Sequence, residues 1–391
     1  MKEIKLDINV FLYIIYLLIY VVTVSLYGFG NSISNFRYYF LFLLCIIGFF
    51  VIILAKRKSY KLINKSFLVS IIVAFFFLLF SYTSSLSVGI AVPFRTYVQI
   101  SLFLFPTLYA FYISNFLSLD NIIKMMKITT IFLIVAYFFD KTEPNHHILN
   151  FFNIKNWLSI DYLKSNSFTE SHNWSESFLQ LFIFFYYFYK KISDNNLKKK
   201  LKPYMIITMI FTLLCFKRLS ILIVLFFLFF GNKIMKKDSK KAYYIILTFF
   251  FVVSTIIYTK FMKNEIFDYN TVFRLTTGRN WILKMWEYRN YISFGYGSSM
   301  LVIGRYLEMD LVQIYLELNL FCLFLFIYCY FNISKNNLYC LFITFFAFIN
   351  MLTASSLPWQ ISWVVMMLNI AAILKYENEI KKNNNYNGKE C

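Results

Sequence analysis

The sequence predicts an all-α polytopic membrane protein of about twelve transmembrane helices, with two long extracytoplasmic loops that contain short helices. Three observations lead there. The 391 residues are 60% hydrophobic and only 15% charged, against roughly half apolar and about a quarter charged in soluble domains, and the mean hydropathy is +0.61. Apolar runs approaching the ~20 residues needed to cross a bilayer recur from end to end. The runs are solid rather than alternating, which excludes the two-residue period of a membrane barrel.

In chain order the spans fall at 8–27, 38–55, 66–84, 94–113, 128–139, 177–189, 203–216, 219–230, 242–258, 310–331, 338–355 and 359–374. No small-residue cleavage site follows the first run, so it reads as a retained span rather than a signal peptide. With the N-terminus inside, the lysine-rich segments KRKSYKLINK, KKISDNNLKKKLK and NKIMKKDSKK all lie inside, as does the Lys/Asn-rich tail 375–391. That is the bias expected of short cytoplasmic loops. It also accounts for the net charge of +20 by attraction to anionic lipid, and no interleaved basic–aromatic pattern points to nucleic acid. Lys217 and Arg218 divide 203–216 from 219–230. A single long span there would place the lysines of 231–241 outside, so two short helices are expected. At ~1.5 Å per residue neither would cross a ~30 Å core, which would leave the Lys217-Arg218 turn in a pit below the surface. The six cysteines show neither disulfide nor metal spacing.

Arginine is sorted differently from lysine. Every arginine except Arg57 falls on the predicted outer side, where the positive-inside rule gives no reason for it. The guanidinium is a planar, permanently charged fork that grips phosphate oxygens in pairs; Arg37, Arg95 and Arg305 also suit simple headgroup contact. Chemistry on that side must come from three places: the Lys217-Arg218 turn, loop one (140–176) and loop two (259–309). Loop one holds His146, His147 and His172, with Trp157 and Trp174. Loop two holds Arg274, Arg279 and Arg289.

Within loop two, Thr276 or Thr277 is positioned to cap a helix over 278–290. Trp281, Ile282, Met285 and Trp286 would share its apolar face, suited to the bundle or the lipid interface. Arg279 would sit in its first turn, where free N–H groups already favour an anion. SFGYGSS follows, with Gly295 and Gly297 allowing left-handed turns. Glu308 and Asp310 then flank the entrance to the next span. Spaced two apart, they do not share a helix face, which argues against a metal pair.

The passages TTGRNWILKMW and ISFGYGSSM, followed by LEMDLVQIYLELNLFCLFLF, resemble the large outer loop and following helix of the polysaccharide repeat-unit polymerases. These are the Wzy-type O-antigen or capsule polymerases of the O-antigen ligase/polymerase superfamily. CFKRLSILIVLFFLFF and SHNWSESFLQLF are similar to that family's earlier basic turn and pre-span segment. The resemblance implies an enzyme of the bacterial cytoplasmic membrane, acting on its outer face. It would move a growing glycan from undecaprenyl diphosphate to the end sugar of a new lipid-linked repeat unit, without a nucleotide or metal. It implies diphosphate binding by Arg279 and Arg218, with Arg274 and Arg289 assisting, and sugar stacking by Trp174 and Trp281. Relatives have His-Asn-Asp where this chain has Glu308-Met309-Asp310, and a glycine where it has Asn319. The general base is therefore Glu308 or Asp310, with His172 next. A flippase and a chain-length regulator are the implied partners. Two other readings stay open: a ligase of the same superfamily, and a lipid-linked oligosaccharide flippase, against which stands the lack of an internal repeat.

Overall fold

The computed structural model describes residues 7–25, 36–56, 62–141, 172–215, 217–276, 279–288, 293–304, 307–354, 357 and 359–387. The described elements are helices, and each predicted span overlaps helix among the described residues: α1 (Ile8–Ser25), α2 (Phe36–Lys56), α3 (Val69–Val88), α4 (Phe94–Phe116), α5 (Leu119–Lys141), α6 (His172–Lys191), α7 (Asn195–Leu214), α8 (Arg218–Met235), α9 (Lys241–Met262), α10 (Tyr269–Leu275), α11 (Asn280–Tyr288), α12 (Ser298–Val302), α13 (Asp310–Glu317), α14 (Leu320–Ser334), α15 (Leu338–Thr353) and α16 (Gln360–Asn387). Five stretches are long and apolar enough to cross a membrane: Lys65–Val88, Phe94–Phe116, Leu119–Phe138, Arg218–Met235 and Ala242–Met262. Four further apolar helices are shorter, at Ile8–Thr23, Tyr38–Leu54, Leu320–Ser334 and Leu338–Thr353. The fold is that of an α-helical membrane protein.

The chain forms two compact units, one of residues 1–63, 112–237 and 364–391, the other of 64–111 and 238–363. In the first unit α6 is the central helix: nearly every side chain from Trp174 to Phe188 is buried, as expected for a helix apolar all round. It packs most extensively on α7. Helices α1 and α5 pair alongside, joined where the Tyr13 hydroxyl meets Thr129 Oγ1 at 2.8 Å. Lys375 Nζ donates to the Ser114 and Leu117 carbonyls at 3.0 and 2.7 Å, satisfying acceptors that the end of α4 leaves unpaired and countering the negative pole there.

The second unit is held by an aromatic cluster. Phe77, Phe103, Phe326, Tyr330 and Phe348 pack ring on ring at centroid distances from 4.9 to 6.1 Å. The Tyr330 hydroxyl donates to the Phe103 carbonyl at 3.1 Å, so the one polar atom in this cluster is satisfied.

Four expectations are corrected by the helices themselves. The run 310–331 is not one span but α13 and α14, broken at Leu318 (φ −110°, ψ −87°). Asn319 enforces the break: its Oδ1 accepts from Cys322 N–H at 2.8 Å and so starts a new helix. The Lys217-Arg218 turn does divide two helices, but α7 and α8 have 20 and 18 residues, about 27–30 Å each. As helices they are longer than the short pair expected, although the first turns of α7, 195–202, carry four lysines and of the two only α8 is among the stretches apolar enough to cross a membrane. Lysine is a good helix former, so the helices continue into polar flanks that hydropathy discounts. Loop one ends earlier than 176, because α6 already begins at His172. Thr276 does not cap the helix after it: its hydroxyl donates backwards to the Val272 carbonyl at 2.7 Å and closes α10. Thr277 lies outside the described residues.

Candidate functional site

In the second unit, three of the expected site residues gather around the connection between α15 and α16. Arg279 immediately precedes α11, and its N–H donates to the Thr276 carbonyl at 3.3 Å. Its Nη1 donates to the Thr353 carbonyl at the end of α15, at 2.5 Å. Its Nε stands 4.0 Å from Glu308 Oε2, in a pair whose side chains are 34% and 49% exposed. Asp310, by contrast, is buried, and its Oδ2 accepts from the Leu357 N–H at 2.9 Å. One residue thus holds each end of the 353–357 segment.

The floor is apolar. Met262, Val272, Ile282, Leu283, Ile303, Leu307, Met309 and Val312 form one buried cluster, so α9, α10, α11 and the approach to α13 share a core. Burial of Ile282 and Leu283 orients α11 and leaves Trp281 43% exposed. The buried face is therefore turned from the one expected: Trp281 lies on its flank, and the side chain of Trp286 lies outside the described residues. Glu308 adopts φ +57°, a left-handed conformation that costs a residue with a Cβ about 1 kcal/mol or more. Strain of this kind concentrates at functional positions.

The FGYG turn is built as the glycines suggest. Gly295 and Gly297 have φ +127° and +85°, and a Cβ on Gly295 would lie 2.9 Å from Ser81 Cβ. The turn is clamped from two sides. Ser81 Oγ accepts from Tyr296 N–H at 3.0 Å, and Ser85 Oγ donates to the Phe294 carbonyl at 2.6 Å. Opposite, the Glu317 carboxylate accepts from Gly297 N–H at 2.6 Å, Ser299 N–H at 2.9 Å and Gln313 Nε2 at 2.9 Å. Glu317 is 1% exposed. The sequence carries it within LEMDLVQIYLELNLFCLFLF without a role of its own, although a lone carboxylate inside an apolar run is itself a signal.

In the first unit, Arg218 opens α8 and is exposed. Its neighbour Lys217 is engaged: Nζ lies 2.5 Å from Glu176 Oε1, with side chains 12% and 11% exposed. Trp174, expected to stack on a glycan, is turned away from solvent. Its ring is fully buried and meets Tyr20 edge-on at 6.4 Å, because α6 begins before it and turns it into the core. His172 is the first residue of α6, and its side chain lies outside the described residues. Arg274, in the last turn of α10, is exposed. Arg289 lies outside the described residues. Arg218 belongs to the first unit, and Arg279, Arg274, Glu308 and Asp310 to the second. Among the described residues no three His, Cys, Asp or Glu side chains gather as metal ligands.

Fold and site together define an α-helical membrane protein with an arginine–carboxylate pair beside a strained turn. No protein-family model, curated protein or solved structure matches the chain.

Proposed function

We propose that this protein is a polysaccharide repeat-unit polymerase of the bacterial cytoplasmic membrane, with about twelve spans and its site on the outer face. In this reading Arg279 binds the diphosphate of an undecaprenyl-diphosphate-linked glycan. The anomeric C–O bond breaks, its electron pair goes to the diphosphate oxygen, and the end-sugar hydroxyl of a new lipid-linked unit takes the glycosyl group. Glu308 accepts the hydroxyl proton, and Asp310 holds the loop rather than acting as base. Fixed donors aimed at a developing charge are each worth about 3–4 kcal/mol in other enzymes, enough to justify a preorganised guanidinium.

One observation carries the reading: Arg279 is pinned by a backbone carbonyl on one edge while its acidic neighbour stands 4.0 Å off, with both side chains partly exposed. That geometry leaves the fork oriented but not neutralised by a close pair. A flippase and a chain-length regulator are the partners this reading implies.

The test is Arg279→Lys, scored by polymer length and by labelling lipid-linked units from outside intact cells. The expected result is single repeats outside the cell and normal amounts of protein in the membrane. Wild-type chain lengths overturn the role of Arg279. Units trapped inside indicate a flippase, and full-length glycan left on its lipid indicates a ligase.

A further inference from the structure

Loop two carries apolar surface that its own core does not use. Ile266, Phe267, Phe273, Leu275 and Trp281 are between 43% and 68% exposed, all within the segment that follows α9. The cause is visible in α10. At ~100° per residue, Leu275, Val272, Thr276, Tyr269 and Phe273 cover an arc of about 160°. Val272 and Thr276, in the middle, are buried, whereas Phe273 and Leu275 on the flanks are exposed. The apolar arc is wider than the protein surface beneath it. In α11, likewise, Ile282 and Leu283 are buried and Trp281 remains out on the flank.

Two further observations say what covers this surface. The first is height. The stretch Ala242–Met262 is one of the five long enough to span a membrane, and Phe267 folds back onto Phe261 in its last turn, edge to face at 6.0 Å. The exposed apolar side chains therefore lie where that span ends. The second is charge. Lys260, Arg274 and Lys284 are exposed around the patch, and Lys284 Nζ sits 4.4 Å from the Tyr269 ring centroid. Lysines, an arginine and a tryptophan around an amphipathic face are the composition of helices that lie in a headgroup layer.

We propose that residues 266–276 and 279–284 form a foot that rests on the bilayer, with Phe273, Leu275 and Trp281 entering an anionic headgroup layer and Arg274 and Lys284 contacting its phosphates. The foot binds lipid surface, whatever reaction the neighbouring arginine serves. It holds Arg279 at the level of a lipid-borne headgroup, so a diphosphate carried on a lipid meets the guanidinium without leaving the membrane.

The experiment reads depth. Cys215, Cys322, Cys329 and Cys340 are buried, so Cys45→Ser with Cys391→Ser gives a quiet background for Leu275→Cys carrying an environment-sensitive fluorophore. Purified protein is reconstituted in phosphatidylcholine vesicles with or without phosphatidylglycerol. The expected emission is blue-shifted, quenched by headgroup-proximal nitroxide lipid, and shifted further by phosphatidylglycerol. The same label at Asn270→Cys, on the outward side of α10, stays aqueous and iodide-accessible. Emission at 275 equal to that at 270 overturns the proposal, as does indifference to phosphatidylglycerol or quenching strongest at the bilayer centre. In unlabelled protein, Trp281→Phe should reduce quenching by brominated lipid, and unchanged quenching also counts against it.

Discussion

Two basic turns invite comparison, because each sets a cation beside a carboxylate and each is solved differently. At Lys217–Glu176 the atoms close to 2.5 Å and both side chains are nearly buried. At Arg279–Glu308 the separation is 4.0 Å, and a third to a half of each side chain is exposed. A compact ammonium consumed by a close partner has little left for a ligand. A guanidinium has five donors in a fixed fork, and Arg279 spends one on the Thr353 carbonyl while its facing acid remains at arm's length. The first pair is a fastening. The second is an oriented charge available to an anion, which is why the proposed chemistry rests on Arg279.

The largest expected effect breaks the fastening. Lys217→Ala takes the close ammonium away from the nearly buried Glu176 carboxylate, at a cost of up to about 3–5 kcal/mol, read as a large fall in Tm in detergent. The double change Lys217→Met, Glu176→Leu should recover most of it. If Lys217→Ala leaves Tm unchanged, the two turns are not different in kind. Next comes Glu317→Ala, which strands the Gly297 and Ser299 N–H groups and the Gln313 amide, at roughly 1–3 kcal/mol for a buried donor left unpaired. Faster hydrogen exchange confined to residues 295–299 would mark the loss as local.

Arg279→Lys sharpens the other side. Removing an exposed pair costs at most about 1 kcal/mol of stability, so Tm should barely move while polymer synthesis falls by about 100-fold, the scale of one lost preorganised donor. Equal loss of both would make Arg279 another fastening. Glu308→Gly separates strain from function within one residue. Relief of the φ +57° backbone should leave Tm unchanged or higher, whereas loss of the carboxylate should lower activity. A drop in Tm with full activity would remove Glu308 from the site.

The smallest effect is on pH. The Thr271 hydroxyl and backbone N–H hold the Asp268 carboxyl below the usual carboxylate range. A depressed folded-state value stabilises above the unfolded pKa and is lost as pH falls through the folded one, so the capping of α10 weakens only below about pH 4. Asp268→Asn keeps a cap and should abolish that acid-dependent part of the unfolding curve.

Much of this was legible from residue type and spacing. Solid apolar runs marked the long helices, since a helix is the form that satisfies a backbone in lipid without partners, whereas the short α10 and α12 lie in no such run. The glycines of FGYG announced positive φ, and the break at Lys217-Arg218 was readable because two adjacent cations interrupt the apolar pattern. Helix ends were not readable where lysine prolonged α7, nor was the division of 310–331, which turns on one asparagine side chain finding a particular N–H.

The site divides along the same line. The sequence by itself determined that Arg279, Glu308 and Asp310 are charged residues bordering apolar helix. Only tertiary structure decided that Asp310 turns inwards to Leu357, that Trp174 is core, and that Glu317 clamps a turn 20 residues away in sequence. The reason is physical: periodicity and propensity act between neighbours along the chain. Whether a carboxylate ends up buried on a backbone N–H or exposed beside a guanidinium depends on which distant segment arrives opposite it.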